Sequence, residues 1–152
     1  MVAGLVFLII LPLAAIELNE ILGWLEWEYL FLDVVGAIFI LAGGIIFLYC
    51  TGLFHKWGRG TPAPIEPPEE LVEKGIYKYS RNPMYIGYFF ILFGEFLFFG
   101  EVLLLVYSVF IVLFINIYLR IVEEPKLEKR FGREYKEYMK RVPRWFGFLQ
   151  NR

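Results

Sequence analysis

The sequence predicts an all-α membrane protein with about four transmembrane helices, the last two a tight hairpin, followed by a cytoplasmic C-terminal amphipathic helix. Three observations predict it. Of the 152 residues, 59% are hydrophobic and 20% aromatic, and the mean hydropathy is +0.58. A chain this apolar cannot clothe a soluble domain in polar surface. Apolar runs of bilayer length recur along it, each close to the roughly 20 residues that a hydrocarbon core of about 30 Å requires. The 15 Lys and Arg are confined to two blocks, Lys56 to Arg81 and Arg120 to Arg152, while the charges elsewhere are acidic: Glu17, Glu20, Glu26, Glu28, Asp33, Glu95 and Glu101. By the positive-inside rule the basic blocks are cytoplasmic and the acidic turns lie outside.

The first span is expected over Ala3 to Leu22, kinked by Pro12, with Glu17 and Asn19 near its end. No cation precedes it, which weighs against a signal peptide. The second is expected over Leu30 to Cys50, the third over Met84 to Phe99 and the fourth over Val102 to Ile121. Only Gly100 and Glu101 separate the last two, which forces a tight antiparallel turn. Both termini are then cytoplasmic, in a cell membrane or an endoplasmic reticulum. The chain reads as a single membrane domain: residues 1–50 carry two helices, 51–82 a cytoplasmic loop, 83–121 the hairpin and 122–152 the tail.

In the loop, GRGTPAPIEPPEE is too rich in Pro and Gly for a helix and should run as an extended strap. ELVEKGIYKY follows, with Gly75 suited to a turn at the membrane surface. In the tail, a helix should resume around Pro125, with Leu127, Phe131, Tyr135, Tyr138 and Met139 on one face at spacings of three and four. Its other face is charged, as on a helix lying against anionic headgroups.

Several chemistries are excluded or weakened. The single cysteine, Cys50, and the single histidine, His55, offer no metal-ligand spacing, so no metal is expected. Neither a P-loop nor a G-x-G-x-x-G is present, and nothing suggests a nucleic-acid partner. Glu95, about 18 Å of helix rise beyond Pro83, should snorkel toward the outer face. Asn116 should face a bundle interior or line a substrate route.

Three stretches converge at the cytoplasmic interface: GIYKYSRNPMYIG (Gly75 to Gly87), VEEPKLEKRFGREYKEY (Val122 to Tyr138) and RVPRW (Arg141 to Trp145). Alone, each has an ordinary explanation: an aromatic belt for the tyrosines, a helix start for Asn82-Pro83, a phosphate-level anchor for Arg81. Their joint occurrence is specific. It resembles the integral-membrane methyltransferases that include isoprenylcysteine carboxyl methyltransferase and the phospholipid N-methyltransferases. The matching positions are Gly75, Tyr77, Arg81, Asn82, Pro83, Tyr85 and Gly87; then Glu123, Glu124, Leu127, Phe131, Gly132, Tyr135 and Tyr138; then Val142, Pro143 and Arg144. Asn82 stands where isoprenylcysteine enzymes typically have histidine, and Asn-Pro-Met-Tyr with Glu-Glu-Pro looks more like the phospholipid enzymes. The F-G-x-x-Y-x-x-Y and V-P-R tail looks more like the isoprenylcysteine group.

The resemblance implies S-adenosylmethionine as methyl donor and a lipid or lipidated substrate, either an isoprenylcysteine carboxylate or a phospholipid amine. It implies a cofactor site formed by Tyr77, Asn82, Tyr85, Gly87, Glu123, Glu124, Tyr135 and Tyr138, with Arg81 and Arg144 anchoring the substrate. The residue chemistry agrees. Carboxylates accept from a ribose and an ammonium, tyrosine faces attract a cation by roughly 0.5 to 2 kcal/mol each, and arginines hold phosphate or carboxylate bidentately. Gly87 permits close approach of a helix or a ligand. Two other readings compete: a sterol-reductase-like membrane enzyme using NADPH, and a non-enzymatic scaffold whose basic tail binds anionic lipid. The scaffold leaves the Glu-Glu pair unexplained.

Overall fold

Helices follow the apolar runs in the computed structural model, which describes residues 6–58 and 69–147. A π-helical turn, Val6–Ile10, leads into α1 (Leu11–Leu22). Pro12, just past that turn, has no N–H to offer the carbonyl four residues back, so the helix widens before it and continues. The helix stops at Gly23, whose φ of 62° and N–H bond to Glu20 O make a left-handed cap. Next comes α2 (Leu30–Leu53), extended by the π-helical Phe54–Gly58, then a 3₁₀ turn at Gly75–Lys78 and α3 (Pro83–Phe99). α4 (Val102–Tyr118) continues through a π-helical turn, Leu119–Glu123, into α5 (Glu124–Phe131), and α6 (Arg133–Arg141) follows.

Among the described residues the only β-type pairing is an isolated antiparallel bridge, Glu26 with Glu101. Two helical runs, Leu30–Gly58 of 29 residues and Val102–Phe131 of 30, are long and apolar enough to cross a bilayer. α3 has 17 residues, a rise of about 25 Å. The part of the expected first span that is described consists of Val6–Ile10 and α1. Most of the expected strap, residues 59–68, lies outside the described residues.

The π turn before α5 has a local cause. Pro125 has no N–H to offer the carbonyl four residues back, and its ring crowds that carbonyl, so the helix widens there instead of ending. The expected tail helix is likewise continuous with α4 at its start and broken at Gly132, whose φ of 55° and ψ of −121° separate α5 from α6. A side chain would strain that conformation.

The chain divides into two compact units. In the first, residues 6–45 with 87–115, α2 and α3 pack backbone to backbone at paired glycines. A Cβ on Gly36 would lie 2.7 Å from Gly94 O, and one on Gly43 would meet Gly87 O. Phe39 fills the space beside them against Phe90 and Phe93, with ring centroids 5.3 and 5.4 Å away. Asn19, fully buried, accepts from Leu103 N–H at 3.2 Å, and Trp27 N–H donates to Gly100 O at 3.2 Å. Glu95 is buried in this unit at 8% exposure, so it packs inside the protein where snorkelling was expected.

Among the described residues of the second unit, 46–58 and 69–86 with 116–147, two small cores form. One gathers Cys50, Leu53, Val72 and Tyr77; the other gathers Tyr135, Tyr138 and Val142, with Leu71, Leu127, Phe131 and Met139 against them. The apolar face expected on the tail therefore forms, carried across the break at Gly132.

Candidate functional site

The site grows from the turn before α3. Gly75, at φ 60°, lies against the side chains of Tyr49 and Leu53, where a Cβ would come within 2.9 Å of them. From there the 3₁₀ turn points Tyr77 inward, at 5% exposure, edge-on to Phe54 with ring centroids 5.4 Å apart. Residues 80–82 run onward to the start of α3 with polar side chains buried: Ser80 at 1% and Asn82 at 9% exposure. Such groups need hydrogen-bond partners. They find them on the chain beyond α6: Ser80 Oγ donates to Arg144 O at 3.2 Å and Asn82 Nδ2 donates to the same oxygen at 3.1 Å.

Arginines from two segments then converge on one carboxylate of a third. Arg144 donates through Nε and Nη2 to the two oxygens of Glu124, at 2.8 and 2.7 Å. Arg81 Nη1 lies 3.0 Å from Glu124 Oε1. The side chains are 10% exposed at Arg81, 15% at Glu124 and 21% at Arg144, so water screens this triad weakly. Two guanidiniums against one carboxylate leave an excess positive charge. Arg81 Nε is buried with no hydrogen-bond partner among the described residues, which leaves a donor for an anion.

Glu123 and Glu124 lie about 32 Å and 33 Å of helix rise beyond Val102, past the apolar stretch. Adjacent in sequence, they have opposite electrostatics. Burial works against ionisation of Glu124, but the bond from Arg144 and the charges of Arg81 and Arg144 outweigh it and hold its carboxyl below the ordinary range. Burial pushes Glu123 up; the hydrogen bond from Tyr85 only partly offsets this, and the neighbouring Glu124 charge adds to it. Tyr85 Oη donates to Glu123 Oε2 at 2.7 Å. Arg144 is raised, first by its bond to Glu124. Glu124 is thus a fixed counter-ion, and Glu123 is a carboxyl held by a neutral partner and able to take a proton.

The remaining expected residues divide. Tyr135 and Tyr138 are each 2% exposed, and Tyr138 Oη donates to Tyr77 O at 2.7 Å. Burial raises all three phenols, Tyr77, Tyr135 and Tyr138. Their rings wall the unit from within, whereas the partly exposed Tyr85 offers an accessible edge. Gly87 belongs to the other unit, with its carbonyl against Gly43. Arg81, Asn82, Tyr85, Glu123, Glu124 and Arg144 are linked as described.

Two participants lie within the quoted stretches but outside the matching positions: Ser80, and Trp145 through its side chain. Trp145 Nε1 donates to Asn116 Oδ1 at 3.1 Å, which ties Asn116 to the segment beyond α6. Polar identity next to Arg81 and Arg144 was the sole signal for them.

A model of the phospholipid methyltransferase family matches residues 32–134. No curated protein and no solved structure matches the chain.

Proposed function

The chain belongs to the phospholipid methyltransferase family, and from that membership we propose that it methylates the headgroup of a membrane lipid at the cytoplasmic interface, using S-adenosylmethionine. The observation that carries the reading is the pairing of an arginine-rich anion site with a separate carboxyl held by a tyrosine. Arg81 and Arg144 meet on Glu124, while Glu123 faces Tyr85.

The donor set suits the cofactor. Glu123 is an acceptor for a cationic or hydroxylic group, and Tyr85 is an aromatic edge beside it. Tyr77, Asn82, Glu124, Tyr135 and Tyr138 support these groups from behind. When bound, the cofactor supplies a methyl group on a positively charged sulfur. The protein's part is to hold an acceptor atom in line and exclude competing water, and positioning of this kind provides much of the acceleration.

Arg81, assisted by Arg144, anchors the phosphate of the lipid. A phospholipid amine is protonated at neutral pH and has no lone pair to donate until that proton leaves. Glu123, raised above the ordinary carboxylate range, accepts it better than an unperturbed carboxylate would. A carboxylate substrate needs no such base.

The test is direct. The full chain in nanodiscs containing phosphatidylethanolamine should bind S-adenosylhomocysteine and methylate that lipid, with Arg81→Ala reducing turnover far more than S-adenosylhomocysteine affinity. Methylation of a prenylcysteine carboxylate alone would reassign the substrate. Binding of NADPH with no binding of S-adenosylhomocysteine would replace the reaction.

A further inference from the structure

The segment 143–145, just past α6, is tied down at three successive residues. Arg81 N–H donates to Pro143 O at 3.0 Å. Arg144 O receives both Ser80 Oγ and Asn82 Nδ2. Trp145 Nε1 donates to Asn116 Oδ1 at 3.1 Å. Ser80 is itself oriented, since its Oγ accepts from Asn82 N–H at 3.1 Å, which leaves its proton for Arg144 O. Val142 leaves α6 extended, at φ −121° and ψ 124°, as the residue before a proline must. The tail therefore runs straight into this set of bonds.

We propose that Asn82, Ser80 and Asn116 are positioning residues, which latch the 143–145 segment and so aim the Arg144 guanidinium at Glu124. Asn82 acts through Arg144 and does not contact cofactor. Its side-chain donor is committed to a backbone carbonyl 62 residues away, and its backbone N–H to Ser80. The bidentate geometry at Glu124 requires a guanidinium plane set to within a hydrogen bond's tolerance, and a long arginine side chain holds that plane only when its backbone is fixed. Both sides of the segment contribute: residues 80–82 grip the main chain, and Asn116 grips the indole.

The catalytic arm of the test rests on the proposed methyl transfer; the proteolytic arm does not. In the full chain in nanodiscs, tryptic cleavage of the Arg144–Trp145 bond, followed by mass spectrometry, reports whether the latch is open. Asn82→Ala and Asn116→Leu should each speed that cleavage about tenfold, the loss expected for one net hydrogen bond. Asn82→Ala should lower kcat/KM for the lipid by about the same tenfold factor, with S-adenosylhomocysteine affinity within about twofold of wild type. In an Arg144→Ala background, Asn82→Ala should cost nothing more, and Asn82→His, which keeps an N–H donor, should recover most of the loss. Unchanged cleavage with cofactor affinity falling in step with kcat/KM would overturn the proposal and make Asn82 a cofactor ligand. Losses that multiply in the double variant would overturn it as well. If wild type neither binds S-adenosylhomocysteine nor transfers methyl, the reaction reading fails, and the cleavage of Asn82→Ala and Asn116→Leu still decides the latch.

Discussion

Two adjacent glutamates show how far chemistry can diverge over one peptide bond. Glu124 sits between Arg81 and Arg144, and removing its charge leaves two weakly screened guanidiniums facing each other. Glu124→Gln should therefore cost about 2 kcal/mol of stability, less than a fully buried pair because the side chains are partly wet, readable as a lowered Tm in detergent. The pH dependence follows from the direction of each shift. The Glu124 carboxyl is lowered on folding, so its contribution is complete above the unfolded carboxylate pKa and disappears as pH falls through the lower folded value. Glu123 is raised: its folded form holds a proton to higher pH, and a reaction needing the carboxylate should decline as pH falls through a value above the ordinary range. Glu123→Gln keeps an acceptor for Tyr85 but cannot take a proton, so kcat on an amine substrate should drop about 100-fold, a typical general-base contribution, with little change in Tm. A Tm loss matching that of Glu124→Gln would remove the distinction between them.

At the scale of elements, glycines decide how closely helices meet. Gly36 and Gly94 bring the α2 and α3 backbones together, and a Cβ on Gly36 would come 2.6 Å from Phe98 N. Since the neighbour is backbone, it cannot swing aside. Gly36→Ala should cost about 1 to 3 kcal/mol, whereas Gly44→Ala, with nothing within 4 Å of its Cβ, should leave the Tm in place. A matched response would show that the contact is not limiting. Helix positions were legible in the sequence because apolar run length and charge are local quantities. So was the tail's buried face, since Leu127, Phe131, Tyr135, Tyr138 and Met139 recur at helical spacing. The break at Gly132 and the π turn at Leu119–Glu123 were not foreseen, although Gly132 and Pro125 are each the cause. In the site, the convergence of Arg81, Glu124 and Arg144 was readable only as shared motifs. The bonds of Ser80 and Asn82 to Arg144 O, which span 64 and 62 residues, have no local pattern to betray them.

For the whole molecule, charge and helix length together constrain how often the chain crosses the bilayer. The two runs long enough to cross, Leu30–Gly58 and Val102–Phe131, both end in basic segments, beginning at Lys56 and at Arg120 respectively. If both basic ends are cytoplasmic, the chain stands inside at Gly58 and must be outside again by Val102. One further crossing is then obligatory between them, and α3 is the apolar helix available among the described residues. Its rise of about 25 Å is slightly short of the hydrocarbon thickness, a mismatch that local thinning of the bilayer absorbs at modest cost. The acidic Glu101 directly after it matches the side free of basic charge. On this argument α3 crosses despite its length, and residues 80–82 share a face with Glu124. Single cysteines introduced into a Cys50→Ser background at Lys78, Glu101 and Lys129 test it with a membrane-impermeant thiol reagent on intact and opened vesicles. Lys78→Cys and Lys129→Cys should label together from one face and Glu101→Cys from the other. Labelling of all three from one face would mean that α3 does not cross; labelling of Lys78→Cys and Lys129→Cys from opposite faces would separate Arg81 from Glu124 and dismantle the proposed site.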